Sequence, residues 1–341
     1  MTARVTTLKS AEAGLYYVEH LPSYYLAEGE PPGRWHGRGT EALVLAGEVR
    51  DGDFLAVMAG TDPRTGEQLG RRYGEASVRG FDVTASAPKS VSVLFAVGSS
   101  EVRQAVLDAH DQAVAAMVGW VERHAHTRFR IGAQVAVVDA QGIVAAAFRQ
   151  HTSRAMDPQL HTHVVIANRV LSPDGRWLAL DARTLKVDQR TLSALYHATL
   201  RAGLTARLGV RWHDPVTGIA EITDVPETVL ARFSSRSEDV QRRLVEKLDR
   251  FEADLGRLPT TRERWQLERE AVVDSRPAKP TAVDAAGLHA RWTAELEALG
   301  YDPVGMVDAA TGRSVSAGVD QATAGGMVDR AIEALSERQS T

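Results

Sequence analysis

The sequence predicts a mixed α/β body over residues 1–235, a helical extension over 236–302 and a flexible tail or linker over 303–341. Three observations carry this reading. A helix-period stretch, Glu101–His124, stands between two sets of strand-like runs. The turn sequences DAQG and SPDG punctuate the β-rich block that follows. After Pro226 the pattern changes to charged, helix-period segments separated by proline-containing breaks.

In chain order, Leu15–Tyr25 is apolar-periodic and broken at Pro22, with Ser23 placed to cap a restart. Glycine and proline crowd residues 29–39 (GEPPGRWHGRG), a loop. Residues 42–58 and 78–97 read as strands, notably VRGFDVTASAPKSVSVLF. Helix Glu101–His124 sets Val102, Val106, Ala109, Ala113, Met117 and Val121 on one face. Ala133–Asp139 and Ile143–Arg149 flank DAQG, Leu160–Leu171 and Trp177–Leu180 flank SPDG, and Val187–Leu208 is helical. SEDVQRRLVEKLDRFEADLG, TTRERWQLEREAVVDSR and DAAGLHARWTAELEALG are three amphipathic helices. There is no internal repeat.

With 44% hydrophobic and 25% charged residues, the composition excludes wholesale disorder. The absence of cysteine excludes disulfides and cysteine-ligated zinc, and suits a reducing cytoplasm. No apolar run approaches the ~18 residues of a membrane span, so a soluble protein without membrane insertion is expected. The net charge of −4 does not advertise a nucleic-acid binder, but its distribution does. Arg128–Arg211 carries 12 Lys and Arg against 5 Asp and Glu, whereas the remainder carries 28 against 39. Arginine outnumbers lysine 35 to 5, a bias that suits phosphate and that a GC-rich coding sequence also produces.

RQHTSRAMDPQLHTHVVIANR holds three of the 11 histidines. His161 and His163 point the same way if they lie on a strand. His151 closes the preceding strand, and the loop TSRAMDPQ turns the chain back, so His151 can join the pair if the strands are antiparallel neighbours. Three neutral imidazoles on one sheet face would form a metal site with open positions, the mark of a catalytic centre. A bare His-x-His is more often a pair of partly exposed strand residues. The addition of His151 tips the balance towards a divalent ion: Mg²⁺, Mn²⁺ or a transition metal such as Zn²⁺.

Four of the 7 tyrosines, Tyr16, Tyr17, Tyr24 and Tyr25, sit within ten residues. Such a cluster suggests a nucleophile and a spare. Phenol is neutral near pH 7, so attack on phosphorus needs a base or a cation. By themselves these residues read as an amphipathic face packing on a sheet; their coexistence with the histidines points to chemistry. In GFDVTASAPKS, Asp82, Thr84 and Ser86 share one strand face, and Phe81, Val83 and Ala85 the other. Asp82 could orient a ligand imidazole or act as general base towards a tyrosine.

LYYVEHLPSYY, FDVTASAPKSVS and HTSRAMDPQLHTHVV, in that order, resemble the MobF-class conjugative relaxases of the TrwC/TraI type, which belong to the histidine–hydrophobe–histidine (HUH) tyrosine endonucleases. Thr162 departs from the superfamily pattern by standing at the hydrophobic position. The resemblance extends through FSSRS at 233–237. It implies a central antiparallel sheet flanked by helices, and a helical part that folds over DNA. It also implies a site- and strand-specific nick at a plasmid transfer origin. Tyr16, with Tyr17 beside it, matches the primary nucleophile, which stays bound to the 5′ end and frees a 3′ hydroxyl. Tyr24 and Tyr25 match the second pair. His151, His161 and His163 match the metal ligands, and Asp82 the site aspartate. The implied partners are single-stranded DNA, the adjacent origin hairpin, and accessory origin-binding and coupling proteins.

Arg154, between His151 and His161, is the foremost residue for clamping the scissile phosphate, with Lys89 second. An ion pair between Arg154 and Asp157 is the plainer alternative. No Gly-Lys pair occurs, so no phosphate loop and no use of ATP is expected of this chain. Other readings are a rolling-circle replication initiator with the same chemistry, a non-catalytic single-stranded DNA-binding module using tyrosine stacking, and a metal phosphodiesterase using water.

Overall fold

A computed structural model describes residues 3–9, 31–131, 133–275 and 285–312 of the chain. The central sheet runs in the order β1 (Ala3–Leu8), β3 (Gly80–Ser86), β7 (Pro158–Leu171), β6 (Gly142–Thr152), β2 (Arg34–His36), with every pairing antiparallel. β8 (Trp177–Leu178) pairs with β7 across the expected SPDG turn. The DAQG turn separates two strands as predicted, but they do not pair with each other. β5 (Gln134–Asp139) pairs with β4 (His126–Ile131) as a separate ribbon, while β6 enters the main sheet.

Both sheet faces are covered. On one face Phe81, Val83, Ala85, Ile143, Ala145, Leu160, Val164 and Ile166 form the larger core with helices. These are α3 (Lys89–Val97), α4 (Ser100–Arg123) and α6 (Gln189–Leu208). The predicted stripe Val106, Ala109, Ala113, Met117 and Val121 is the buried face of α4, and Ser99 caps that helix by accepting from the Val102 amide at 3.3 Å. α4 and α6 pack so closely that a Cβ on Gly203 would stand 3.2 Å from that of Ala109. The opposite face buries Val144, Ala146, Phe148, Val165 and Ala167 against Trp35, Leu43 and helix α2 (Asp51–Ala59), which α1 (Gly39–Ala42) precedes.

Two expected strands are helices. Within 42–58, Phe54, Val57 and Met58 are buried at helical spacing, Asp51 and Asp53 occupy the favourable first turn, and Gly60 ends α2 at φ 81°. Within 78–97 only Gly80–Ser86 is a strand. The alternation in KSVSVLFAV mimics a strand because α3 is apolar nearly all round and buried from Ser90 to Ala96. The Glu221 carboxylate accepts from the first amides of α3, Lys89 at 3.2 Å and Ser90 at 2.7 Å. The segment before Val187 is also helical, as α5 (Ala182–Val187).

α7 (Glu227–Arg232) closes the body, α8 (Ser235–Leu255), α9 (Thr261–Asp274) and α10 (Ala285–Ala298) form the extension, and α11 (Pro303–Ala310) lies in the stretch expected to be a tail. α8 and α9 fold onto each other, with Lys247 bridging Glu270 and Asp274. α10 and α11 place Trp292, Leu296, Met306, Val307 and Ala310 in the larger core of the body. The tail therefore starts with a buried helix, capped by Asp302 through the Val304 and Gly305 amides. The helix predicted at Leu15–Tyr25 lies outside the described residues, as does the tail beyond 312. Among the described residues no helix is long and apolar enough to cross a membrane.

Candidate functional site

Three neighbouring strands build a polar corner on the α2 face of the sheet. The β3–β7 register sets Thr84 opposite His163 and Ser86 opposite His161. The predicted polar face of β3 thus joins the histidine face of β7, while Phe81, Val83 and Ala85 go to the core behind. The rings of His161 and His163 are 5.2 Å apart.

Both imidazoles are held through Nδ1. His163 Nδ1–H donates to the Asp82 carboxylate at 3.0 and 3.1 Å, with Thr84 Oγ1 at 3.3 Å. His161 Nδ1–H donates to the Gln159 carbonyl at 2.9 Å. In a neutral ring a proton on Nδ1 puts the lone pair on Nε2, the form a metal ion requires. Burial holds the His161 imidazole down to about 3, an effect the neighbouring His163 reinforces, so it is neutral at physiological pH. Asp82 is 4% exposed, a buried carboxylate directed at a histidine. This donor set fits a divalent ion.

His151 does not join the pair. β6 and β7 are antiparallel neighbours as expected, but Gln150, not His151, stands opposite His161. The pairs Thr152–Pro158 and Gln150–His161 enclose one residue of β6 and two of β7. This one-residue bulge in β7 exchanges the faces of the two strands' side chains. His151 accordingly turns to the α3 side, its ring 4.6 Å from that of Phe95. Among the described residues no three His, Cys, Asp or Glu side chains come together as a metal site. Tyr16, Tyr17, Tyr24 and Tyr25 lie outside the described residues.

The loop after β6 is tightly built. Ser153 Oγ accepts from the Ala155 and Asp157 amides, and Met156 adopts φ 65°. Asp157, buried in this loop, accepts from Ser235 Oγ at 2.5 Å and Ser153 Oγ at 3.4 Å. Trp292 Nε1–H donates to the Met156 carbonyl at 2.9 Å. Arg154 is half-buried on this loop.

Lys89 is directed inward. Its Nζ donates to the Pro158 carbonyl at 2.7 Å, and burial pushes it down to about 8 against the pull of Asp157 and Glu221. It fastens the start of β7 and does not present an ammonium to a phosphate. Part of the basic charge of 128–211 is used within the chain. Arg128 and Arg183 pair with Asp181, Arg149 with Asp111 and Arg211 with Asp224, and Arg169 binds the Leu69, Asn168 and Arg71 carbonyls.

Sequence reasoning missed two residues on this face. Gln150 is one, and no local sequence signal marks the bulge that sets its face. Arg4 is the other: exposed on edge strand β1, opposite Thr84, it places a guanidinium on the site face.

The fold and this corner define a histidine-pair site on an antiparallel sheet, and comparison with known proteins gives it a family. The TrwC relaxase family model matches residues 10–299, and the chain belongs to that family. It is 31% identical over 352 residues to the multifunctional conjugation protein TraI of Escherichia coli, an alignment covering 98% of this chain, and 30% identical to that of E. coli strain K12 across 91% of it. The chain spans about a fifth of the length of these curated relatives, 19% and 17%. Solved structures of the conjugative relaxase TrwC in complex with oriT DNA are similar. The metal-free one has a TM-score of 0.72 at 32% identity and the copper-bound one 0.74 at 31%, each alignment covering 88% of this chain and 99% of the other. A TrwC complex with a 27-mer comprising the recognition hairpin and the cleavage site has a TM-score of 0.72 at 30% identity.

Proposed function

We propose that this chain makes a strand-specific nick in DNA at a plasmid transfer origin and later rejoins strands, so initiating conjugative transfer. The observation that carries the reading is the pair His161 and His163, both fixed through Nδ1 on one sheet face, with buried Asp82 behind His163. It is supported by membership of a family whose similar members are solved with oriT DNA.

Tyr16, or Tyr17 beside it, attacks the scissile phosphate. The tyrosine oxygen–phosphorus bond forms and the bond to the 3′ oxygen breaks. The phenol proton is lost and the departing 3′ oxygen takes one up, leaving a 5′-phosphotyrosine and a 3′ hydroxyl. The ester conserves the phosphodiester energy, so rejoining needs no ATP. Tyr24 and Tyr25 serve the terminating transfer. A divalent ion, Mg²⁺, Mn²⁺ or a transition metal, supplies charge stabilisation at the phosphate when bound. Asp82 keeps His163 in the ligating tautomer rather than accepting the tyrosine proton. Arg154, on the loop between β6 and β7, steadies charge on the phosphate. Helices α8 and α9 cover single-stranded DNA and the origin hairpin; accessory origin-binding and coupling proteins are the further partners, and the setting is the bacterial cytoplasm.

The test is incubation with single-stranded oligonucleotides from the cognate origin, followed by denaturing electrophoresis. A slowed protein–DNA band is expected. Tyr16→Phe removes one hydroxyl and keeps the ring, so the band should be lost while binding persists. Full adduct yield with all four tyrosines changed to phenylalanine would overturn the mechanism.

A further inference from the structure

We infer that the third side chain turned towards a metal ion held by His161 and His163 is Gln150, and that His151 takes no part in holding it. This rests on the metal site proposed above and assigns its remaining protein donor.

Gln150 is the cross-strand partner of His161, and directly opposed residues stand about 4.5–5.5 Å apart at Cβ. A glutamine side chain and an imidazole at that separation can reach one common point. The pattern along β6 agrees. On the site face Val144, Ala146 and Phe148 are buried and apolar, and the face turns polar at Gln150, where it meets His161. Gln150 is only 6% exposed. Ser86 and Gln150 flank His161, as Thr84 and Phe148 flank His163, so Gln150 is the one amide oxygen in these two cross-sheet rows. His151 meanwhile lies on the other face, against Phe95.

The donor set is therefore two imidazole nitrogens and one amide oxygen. Exchanging an imidazole for a carbonyl-type oxygen weakens the site for nickel, copper and zinc more than for manganese or magnesium, because the softer ions draw more of their affinity from nitrogen. The site becomes less selective for late transition metals than three histidines would make it.

Calorimetric titration of the chelator-stripped chain with Mn²⁺ and with Ni²⁺ tests this without reading activity. Gln150→Leu keeps the bulk and removes the oxygen, and should weaken both ions by about tenfold or more. Gln150→His should raise Ni²⁺ affinity relative to Mn²⁺ by about tenfold or more. His151→Asn should leave both titrations unchanged. If Gln150→Leu does not fold, Gln150→His carries the test. Wild-type titrations from both Gln150 variants, with binding lost in His161→Ala, would overturn the assignment and spare the site. Wild-type titrations in His161→Ala, or no binding by the unaltered chain, would overturn the metal site and this assignment with it.

Discussion

Asp82 and His163 illustrate how one buried contact sets the chemistry of a surface group. The carboxylate fixes where the imidazole proton resides, and thereby which nitrogen keeps the lone pair that a metal ion would need. Asp82→Asn should lower metal affinity by about 10–100-fold in calorimetric titration, in line with losses of such supporting contacts elsewhere. Unchanged affinity with slower adduct formation would instead assign Asp82 to proton transfer from tyrosine. These residues were legible in the sequence because β3 and β7 alternate strictly around them: Val83 and Ala85 are fully buried while Thr84 is half-exposed. His151 was not assignable. Its adjacency to the pair could be read from the loop length, but its face depended on a bulge that leaves no mark in composition. Lys89 misled for a related reason, since a lysine beside a turn reads as exposed and nothing local shows the Pro158 carbonyl above it.

At the scale of elements, the middle residue of the histidine pair has a structural explanation. Thr162 points to the core side of β7 and shares a 2.7 Å hydrogen bond with His110 Nε2 of α4, whose Nδ1 meets Tyr196 Oη of α6 at 2.7 Å. A polar residue stands where the superfamily has an apolar one because a buried histidine lies beneath it. Thr162→Val should cost about 1–3 kcal/mol in denaturant unfolding by leaving that nitrogen unpaired. Burial, with Arg149 adding to it, holds His110 well below its ordinary 6.5. Below 6.5 the unfolded chain takes up a proton that the folded one refuses, so this share of stability is complete above 6.5 and is lost as pH falls. Unfolding midpoints should therefore drop between pH 7 and pH 5, less steeply in His110→Gln. The loop carrying Arg154 is gripped by Ser235 and Trp292 of the helices α8 and α10. Arg154→Ala should slow cleavage more than it weakens DNA binding; an unchanged cleavage rate would return Arg154 to an ordinary surface role. Helix α4 was readable from its stripe, whereas α3 was not, because a helix buried on every side loses the period that identifies it.

For the whole molecule, the sheet, its two covered faces and the added helices were legible as a class, but the way they share a core was not. α10 and α11 read as appendage, yet Trp292 and Leu296 are as deeply buried as any residue of the body. Such packing arises from long-range contact, which local pattern does not encode. The same holds for charge: Arg149 and Arg211 of the basic third pair with Asp111 and Asp224 from outside it, a cancellation that the count along the segment does not show. The proposed nicking reaction requires a tyrosine of residues 16–25 to react at a phosphate beside His161 and His163. Mass spectrometry of a protease digest of the protein–oligonucleotide product measures this directly. The expected product is DNA attached by its 5′ phosphate to the peptide containing Tyr16 and Tyr17, absent after chelation. Nicked DNA bearing a free 5′ phosphate, with no peptide attached, would contradict it and point to water as the nucleophile.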